Sequence, residues 1–117
     1  MSYADVAKNL KKNIQIITST FEQYNLQILS VACKPCSEHD PDLQVFIELA
    51  SIKGASIPDN LEVKINLYDA EGDLYLSSSC IVLADKFNGY DTIELVCADD
   101  SRALDIAEKG RLYVTRW

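Results

Sequence analysis

The sequence predicts an all-β protein: an antiparallel immunoglobulin-like β-sandwich of six to seven strands with a short N-terminal α-helix. Apolar and polar residues alternate over several runs of about 6 to 10 residues, which is the pattern of strands with one buried face. Turn-forming glycine, proline and asparagine separate these runs at short intervals. Parallel strands would need helical crossovers between the runs, and only the N-terminal segment has clear helix signals. The pattern therefore favours a sandwich.

Length and charge limit the classes of protein to consider. A chain of 117 residues with 48% apolar residues can bury one core, so we expect a single domain over residues 1–117. Eighteen acidic and eleven basic residues leave a formal net charge of −7, which opposes binding to nucleic acid or to an anionic membrane. No apolar stretch approaches the roughly 20 residues of a membrane span, and the first residues do not resemble a signal peptide. We expect a soluble, cytoplasmic protein with reduced cysteines.

The N-terminal helix is predicted at about residues 3–12. Ser2 and Asp5 have the spacing of a capping box, and apolar residues follow at helical intervals. Lys11 and Lys12 stand where positive charge stabilises a helix C-terminus, and Asn13 is suited to end the helix. Both ends of this helix are therefore marked in the sequence.

The next two segments are harder to assign. Residues 14–21 could continue the helix through Ile14, Ile17 and Phe21, but they are dense in β-branched residues, so we favour a strand. Residues 25–33 are apolar on both parities, which predicts a central strand, buried on both sides or slightly bulged.

The remaining strands follow the alternation directly. Gly72 supplies the left-handed backbone conformation that a tight hairpin turn needs between two of them. The segment 98–110 suits a connection with a single helical turn. These strands are predicted at residues 43–49, 61–67, 74–82, 92–97 and 111–117.

An acidic pole follows from the expected topology. If successive strands run up and down, the loops around residues 34–42, 69–73 and 98–110 share one end of the sandwich. Carboxylates from several loops can hold calcium, although no loop has EF-hand spacing and acidic loops are commonly just solvated. The acidic residues of these loops are Glu38, Asp40, Asp42, Asp69, Glu71, Asp73, Asp99, Asp100, Asp105 and Glu108.

A C-x-x-C spacing, Cys33-Lys34-Pro35-Cys36, is the sharpest local motif. It resembles a thioredoxin-type redox motif, but Pro41 leaves no room for the long helix that such a motif precedes, and nearby acids would raise a thiol pKa.

Zinc suits this loop better than redox chemistry. Two thiolates two residues apart can chelate one ion, and a histidine and a fourth ligand from the same end would complete a tetrahedral site. The candidate metal ligands are Cys33, Cys36, His39 and Cys97. The alternatives are small apolar core residues, or a disulfide joining Cys33 to Cys36 or Cys80 to Cys97.

Catalysis has little support in the sequence. His39 is the single histidine and belongs to a proline-bounded loop, and glycine-rich phosphate loops, nucleophile elbows and H-E-x-x-H motifs are absent from the sequence. We therefore predict a protein that is not an enzyme and has no cofactor unless zinc is bound.

A binding role is the remaining interpretation. Phe46, Tyr68 and Tyr75 fall on outward parities, with Tyr113 or Trp117 beside them, and would form an aromatic strip for a partner. Alternatively, the N-terminal helix or dimerisation covers that face. The sequence thus predicts a non-catalytic protein-binding or structural module with an unidentified protein partner or a second copy of itself. The second hypothesis is a zinc- or calcium-binding sandwich.

Overall fold

The computed structural model describes residues 1–98 and 101–117. These residues form three helices and seven strands, and β2 to β6 follow one another without a helix between them. The helices are α1 (Tyr3–Lys12), α2 (Thr18–Glu22) and α3 (Ala103–Ile106). The strands are β1 (Ile14–Ile16), β2 (Leu26–Pro35), β3 (Leu43–Ser51), β4 (Leu61–Tyr68), β5 (Leu74–Val82), β6 (Tyr90–Cys97) and β7 (Lys109–Arg116).

Helix α1 begins and ends where the sequence predicted. The Ser2 hydroxyl accepts a hydrogen bond from the Asp5 backbone N–H at 3.2 Å, and the Asp5 carboxylate accepts one from the Ser2 N–H. At the other end the Asn13 N–H donates to the Leu10 carbonyl at 2.9 Å. The capping box satisfies N–H groups that have no partner within the first turn, so these few residues determine the start of the helix.

The strand predicted over residues 14–21 is wrong beyond Ile16. Strand β1 covers Ile14–Ile16 only and pairs in parallel with β7, and α2 follows it. The Thr20 hydroxyl donates to the Ile17 carbonyl at 2.7 Å, which helps to close the first turn of α2. This turn brings Phe21 into the core with 1% exposure. Burying that ring outweighs the β propensity of the segment.

Two sheets share one hydrophobic core. One sheet has the order β1-β7-β4-β5 and the other the order β2-β3-β6. The alternate residues of β3 and β4 that face the core are fully buried: Val45, Ile47, Leu49, Val63, Ile65 and Leu67. The protein is thus a compact β-rich fold of two sheets, as the alternation predicted.

The strand order is not that of an immunoglobulin constant domain, whose sheets contain the first, second, fifth and fourth strands and the third, sixth and seventh. Here the first strand lies beside the last, and Ile14 is paired with Gly110. The position of the first strand in the sheet depends on its pairing with the last strand. The alternation of residues within one segment carries no information about such a pairing.

The two lateral sides of the sheets differ. On one side the terminal strands β5 and β6 meet, and the Ser78 hydroxyl donates to the Val96 carbonyl at 2.9 Å. On the other side lie β1 and β2, with α1 and α2 packed against them. Strand β2, predicted to be central, is therefore an edge strand. The bulge between Ile28 and Ser30 switches the parity of β2, so Ile28 pairs with the core-facing Leu49 and Val31 with the core-facing Ile47. The slight bulge that the sequence predicted as an alternative is therefore present.

The predicted hairpin and the single helical turn are both confirmed. Strands β4 and β5 pair antiparallel, and Gly72 in their turn has a φ of +85°. Helix α3 is the short turn expected before β7. None of the helices in the described residues is long and apolar enough to cross a membrane.

Candidate functional site: a groove along strand β2

The predicted acidic pole forms at one end of the sheets. The Leu104 N–H donates to the Pro41 carbonyl and the Glu108 N–H to the Tyr68 carbonyl, both at 2.8 Å, so the three loops meet. Asp99 and Asp100 lie outside the described residues.

Several carboxylates of the acidic pole hold the chain in its turns. Asp69 accepts hydrogen bonds from the N–H groups of Glu71 and Asp73 at 3.0 Å, and Asp105 accepts one from the Tyr3 hydroxyl at 2.8 Å. Within residues 1–98 and 101–117 no three His, Cys, Asp or Glu side chains are arranged to hold a metal ion. Asp69 and Asp105 therefore serve as structural acceptors in the pole.

Within the described residues the four candidate zinc ligands do not form a group that could hold a metal ion, although Cys97 lies close enough to Cys33 and to Cys36 for their thiols to influence one another electrostatically. Cys33 and Cys97 are buried, and burial raises the pKa of each thiol to about 11. Cys36 lies in the following loop, where partial burial and the carboxylates of Asp40 and Asp42 raise its thiol pKa. His39 is exposed on a turn. All four cysteines of the chain, including Cys80, are free thiols, so neither predicted disulfide is present.

The predicted aromatic strip is divided between the two sheets. Phe46 lies on β3, with the Lys34 ammonium 5.7 Å from its ring centre. Tyr68 lies on β4 in the other sheet, with the Arg111 guanidinium 5.2 Å from its ring centre. The Tyr75 hydroxyl donates to the Ser101 carbonyl and is thereby tied to the acidic pole. These three residues do not form one continuous surface.

The outer face of the four-stranded sheet is polar and internally paired. A shallow groove of about 350 Å³ there is lined by β4 and β5 side chains and Tyr113. Glu62 accepts a hydrogen bond from the Ser79 hydroxyl at 2.9 Å, which lowers the pKa of its carboxyl, and its other oxygen lies 3.3 Å from the Lys64 ammonium. These groups satisfy one another, so the face offers few free polar groups to a ligand.

Three adjoining cavities follow strand β2 on the lateral side that β1 shares with it. The first, about 500 Å³, lies between α1 and residues 32–35 of β2. The second, about 370 Å³, lies between β1 and residues 28–31, and the third, about 140 Å³, lies beside α2. Lys11 lines both the first and the second, and Ile16 lines both the second and the third. We call this continuous depression the β2 groove.

A bulge in β2 exposes apolar surface in the middle of the groove. The pairing of β2 with β3 shifts register between Ile28 and Ser30, and Leu29 is the extra residue. Its side chain is 53% exposed, beside the half-buried Ile14 and Ile16 of β1. Apolar side chains on the edge strand of a sheet are a liability for a protein unless something covers them.

The half of the groove beside α1 carries more lysines than carboxylates, although the protein as a whole is acidic. Lys8, Lys11 and Lys34 line its α1 half, where Glu38 is the acidic residue in the lining. Among the described residues the ion pairs are Lys64 with Glu62 and Arg102 with Asp105, and neither involves these three lysines.

Sequence reasoning missed the groove although one signal for it was present. The run at residues 25–33 is apolar on both parities, which predicts a central strand, buried on both sides or slightly bulged. The bulge accounts for this pattern, because it places apolar residues of both parities on the core side of β2 and leaves Leu29 exposed. The lysines of α1 add a second signal, because Lys8 and Lys11 are three residues apart and therefore lie on one helix face.

Comparisons with known proteins add little about activity. No family model matches the chain, and no curated protein matches its sequence. Among solved structures, it is similar to Campylobacter jejuni cj0090, with a TM-score of 0.47 and 12% identity over 90% of this chain and 98% of that one. A glycosyl hydrolase family 2 member from Bacteroides cellulosilyticus matches with a TM-score of 0.35 and 9% identity over 80% of this chain, which spans 14% of that chain.

Proposed function

We propose that this protein is a non-catalytic protein-binding module whose partner occupies the β2 groove. The observation that carries the proposal is the exposed Leu29 on an edge strand, next to isoleucines of β1. Covering this surface with a partner removes apolar area from water at about 25 cal/mol per Å². The two sheets form the rigid frame, an immunoglobulin-like sandwich in the broad sense, with a strand order of its own.

The groove supports the proposal better than the aromatic residues do. Phe46 and Tyr68 lie on different sheets, whereas the groove is continuous along one strand. Phe46 still borders the groove through Lys34, which lies over its ring. A second copy of the chain is the alternative occupant, and the experiment below separates it from a different protein. The proposal keeps the cytoplasmic location predicted from the sequence.

The absence of catalysis is part of the proposal. The pKa values of Cys33 and Cys97, near 11, keep both thiols protonated at neutral pH, and a protonated thiol is a poor nucleophile. The metal-binding hypothesis has no specific observation in its favour among residues 1–98 and 101–117.

Site-specific photo-crosslinking in cells that express the protein tests the proposal. A benzophenone side chain at position 29 samples the groove, and one at Ile81, which is 36% exposed on the other sheet, is the matched control. We expect a discrete adduct for position 29 alone, whose mass identifies either a second copy or a different protein. The purified partner should then bind wild-type protein and bind the Leu29→Glu variant about tenfold more weakly. Equal adducts at both positions, or none at position 29, would contradict the proposal.

A further inference from the structure

We infer that the occupant of the β2 groove is an extended segment of another protein, acidic at one end and apolar at the other, that pairs with β2 as an added strand. This inference rests on the proposed function and specifies the chemistry of the partner. It is carried by three features of the groove: its wall, its length and the distribution of its charges.

The wall of the groove is the edge of a strand and not one of its faces. Consecutive residues of β2 line the first two cavities, residues 28–31 in one and 32–35 in the other. Successive side chains of a strand point to opposite faces, so a face would supply every second residue only. Strand β2 is terminal in its sheet and pairs with β3 along one edge. Within the described residues no strand pairs with the other edge, and α1 packs against β2 across the first cavity. An occupant of that cavity would meet the backbone groups of this edge, as in peptide recognition by strand addition.

The length of the groove suits an extended chain. The eight positions from Ile28 to Pro35 span about 25 Å at the usual rise of about 3.3 Å per residue. An extended segment of about eight residues covers that distance, whereas a helix would need roughly 16 residues and a channel about 10 Å wide. The bulge at Leu29 interrupts the register at one point, and the six residues from Ser30 to Pro35 pair regularly with β3.

The charges divide the groove into two halves. Lys8 and Lys11 project from α1 beside residues 32–35 of β2, and β1 supplies Ile14 and Ile16 beside residues 28–31. Since the whole chain carries a net charge of −7, this lysine-lined half is complementary to acidic residues and unlike the rest of the surface. The segment should therefore carry its acidic residues beside Lys8 and Lys11, along residues 32–34, where the lysines outnumber the one carboxylate of the lining, Glu38, and its β-branched residues near Ile28.

Selection from a display library of random twelve-residue peptides on the intact protein tests this assignment. We expect the selected peptides to combine two or more acidic residues with a neighbouring run of apolar β-branched residues. Lys8→Glu combined with Lys11→Glu should weaken their binding at least about tenfold, because each attractive contact becomes repulsive. The matched control combines Lys53→Glu with Lys86→Glu, two exposed loop lysines outside the groove, and should change binding less than about twofold.

N-methylation of a selected peptide distinguishes a strand from any other bound form. Methyl groups on alternate residues block the N–H groups of one strand edge and leave the other edge free. One of the two methylation patterns should abolish binding and the other should preserve it. With the unmethylated peptide, the amide protons of residues 28–34 that do not pair with β3 should gain protection from exchange. The strand-addition assignment would be overturned if both methylation patterns weakened peptide binding equally, or if the selected peptides were not enriched in acidic residues.

The two proposals can fail separately. One result would be a crosslinked partner at position 29 without enriched peptides, or with peptides that bind the Lys8→Glu, Lys11→Glu variant as tightly as the wild type. This result would support the protein-binding function and contradict the inference of an acidic added strand. Absence of both crosslinks and selected peptides removes both.

Discussion

Asp42 accepts a hydrogen bond from the Ser101 hydroxyl at 2.9 Å, although 59 positions separate the two residues. The same carboxylate oxygen accepts the backbone N–H of Arg102 at 3.1 Å, and the Ser101 hydroxyl also contacts the Cys97 carbonyl. Arg102 has a φ of +52°, a left-handed conformation that costs a non-glycine residue about 1 kcal/mol. One carboxylate thus holds the loop after β2 to the chain entering α3 and supports a strained backbone.

Removing this carboxylate should destabilise the protein. Asp42→Ala leaves the N–H of Arg102 and the Ser101 hydroxyl without their charged acceptor, and we expect a loss of about 1 to 3 kcal/mol in the free energy of unfolding by urea. Asp73→Ala, an exposed change in the neighbouring hairpin turn, is the control and should cost less than about 0.5 kcal/mol. Equal stability of the two variants would contradict the role given to Asp42.

Asn25 should be more sensitive to alanine than to glycine. Its φ is +64°, its side-chain amide donates to the carbonyls of Lys53 and Ser56 at 2.8 Å, and its oxygen accepts the Lys53 N–H at 2.9 Å. Asn25→Ala loses these hydrogen bonds and strains the left-handed backbone, so we expect the free energy of unfolding to fall by about 2 to 4 kcal/mol. Asn25→Gly loses the same bonds without the strain and should be about 1 kcal/mol more stable than the alanine variant. Chemical denaturation of the two variants measures the difference, and an alanine variant as stable as glycine would refute it.

Gly110 should not tolerate a larger side chain. A Cβ at this position would lie 3.0 Å from Leu67 Cδ2 and 3.1 Å from the Asn66 carbonyl oxygen, and the second contact is with backbone that cannot rotate away. We expect Gly110→Ala to cost about 1 to 3 kcal/mol, as overpacking does in a well-filled interior. Lys109→Ala, at the exposed neighbouring position, should change the unfolding midpoint little. A Gly110→Ala protein with wild-type stability would show that β4 and β7 can separate to accommodate the methyl group.

The buried thiols should make stability fall in alkaline solution. Burial raises the pKa of Cys33 and Cys97 from an ordinary 9.0 to about 11. Above pH 9 the unfolded chain loses these protons while the folded chain keeps them, so the folded state binds more protons and its stability decreases as pH rises. The contribution is fully present below about pH 9 and is lost by about pH 11, on the order of 2 kcal/mol for each thiol.

Urea unfolding at several pH values between 8 and 11 measures this loss. The Cys33→Ala, Cys97→Ala double variant should be less stable at pH 8, because it has cavities, but its stability should fall less steeply with pH than that of the wild type. Cys36→Ala, in the loop, should keep most of the wild-type slope. Parallel slopes for the wild type and the double variant would show that the two thiols ionise normally in the folded protein.

Short-range patterns predicted much of the fold. The capping box of Ser2 and Asp5 set the start of α1, and Gly72 marked the hairpin turn. Alternation assigned β3, β4 and their buried residues, because a strand with one face in the core has a period of two whatever its neighbours are. Each of these features depends on residues close together in the chain.

The groove and the strand order required the folded chain. The sequence by itself determined a β-rich fold, whose strands have one buried and one exposed face, and a capped N-terminal helix. Local backbone and side-chain preferences are sufficient for both. Whether Leu29 lies in a core or on an open edge depends on which strands lie beside β2, and that pairing joins residues far apart in the chain. The position of the α1 lysines depends on the folded chain for the same reason, because tertiary packing alone brings Lys8 and Lys11 alongside residues 32–35.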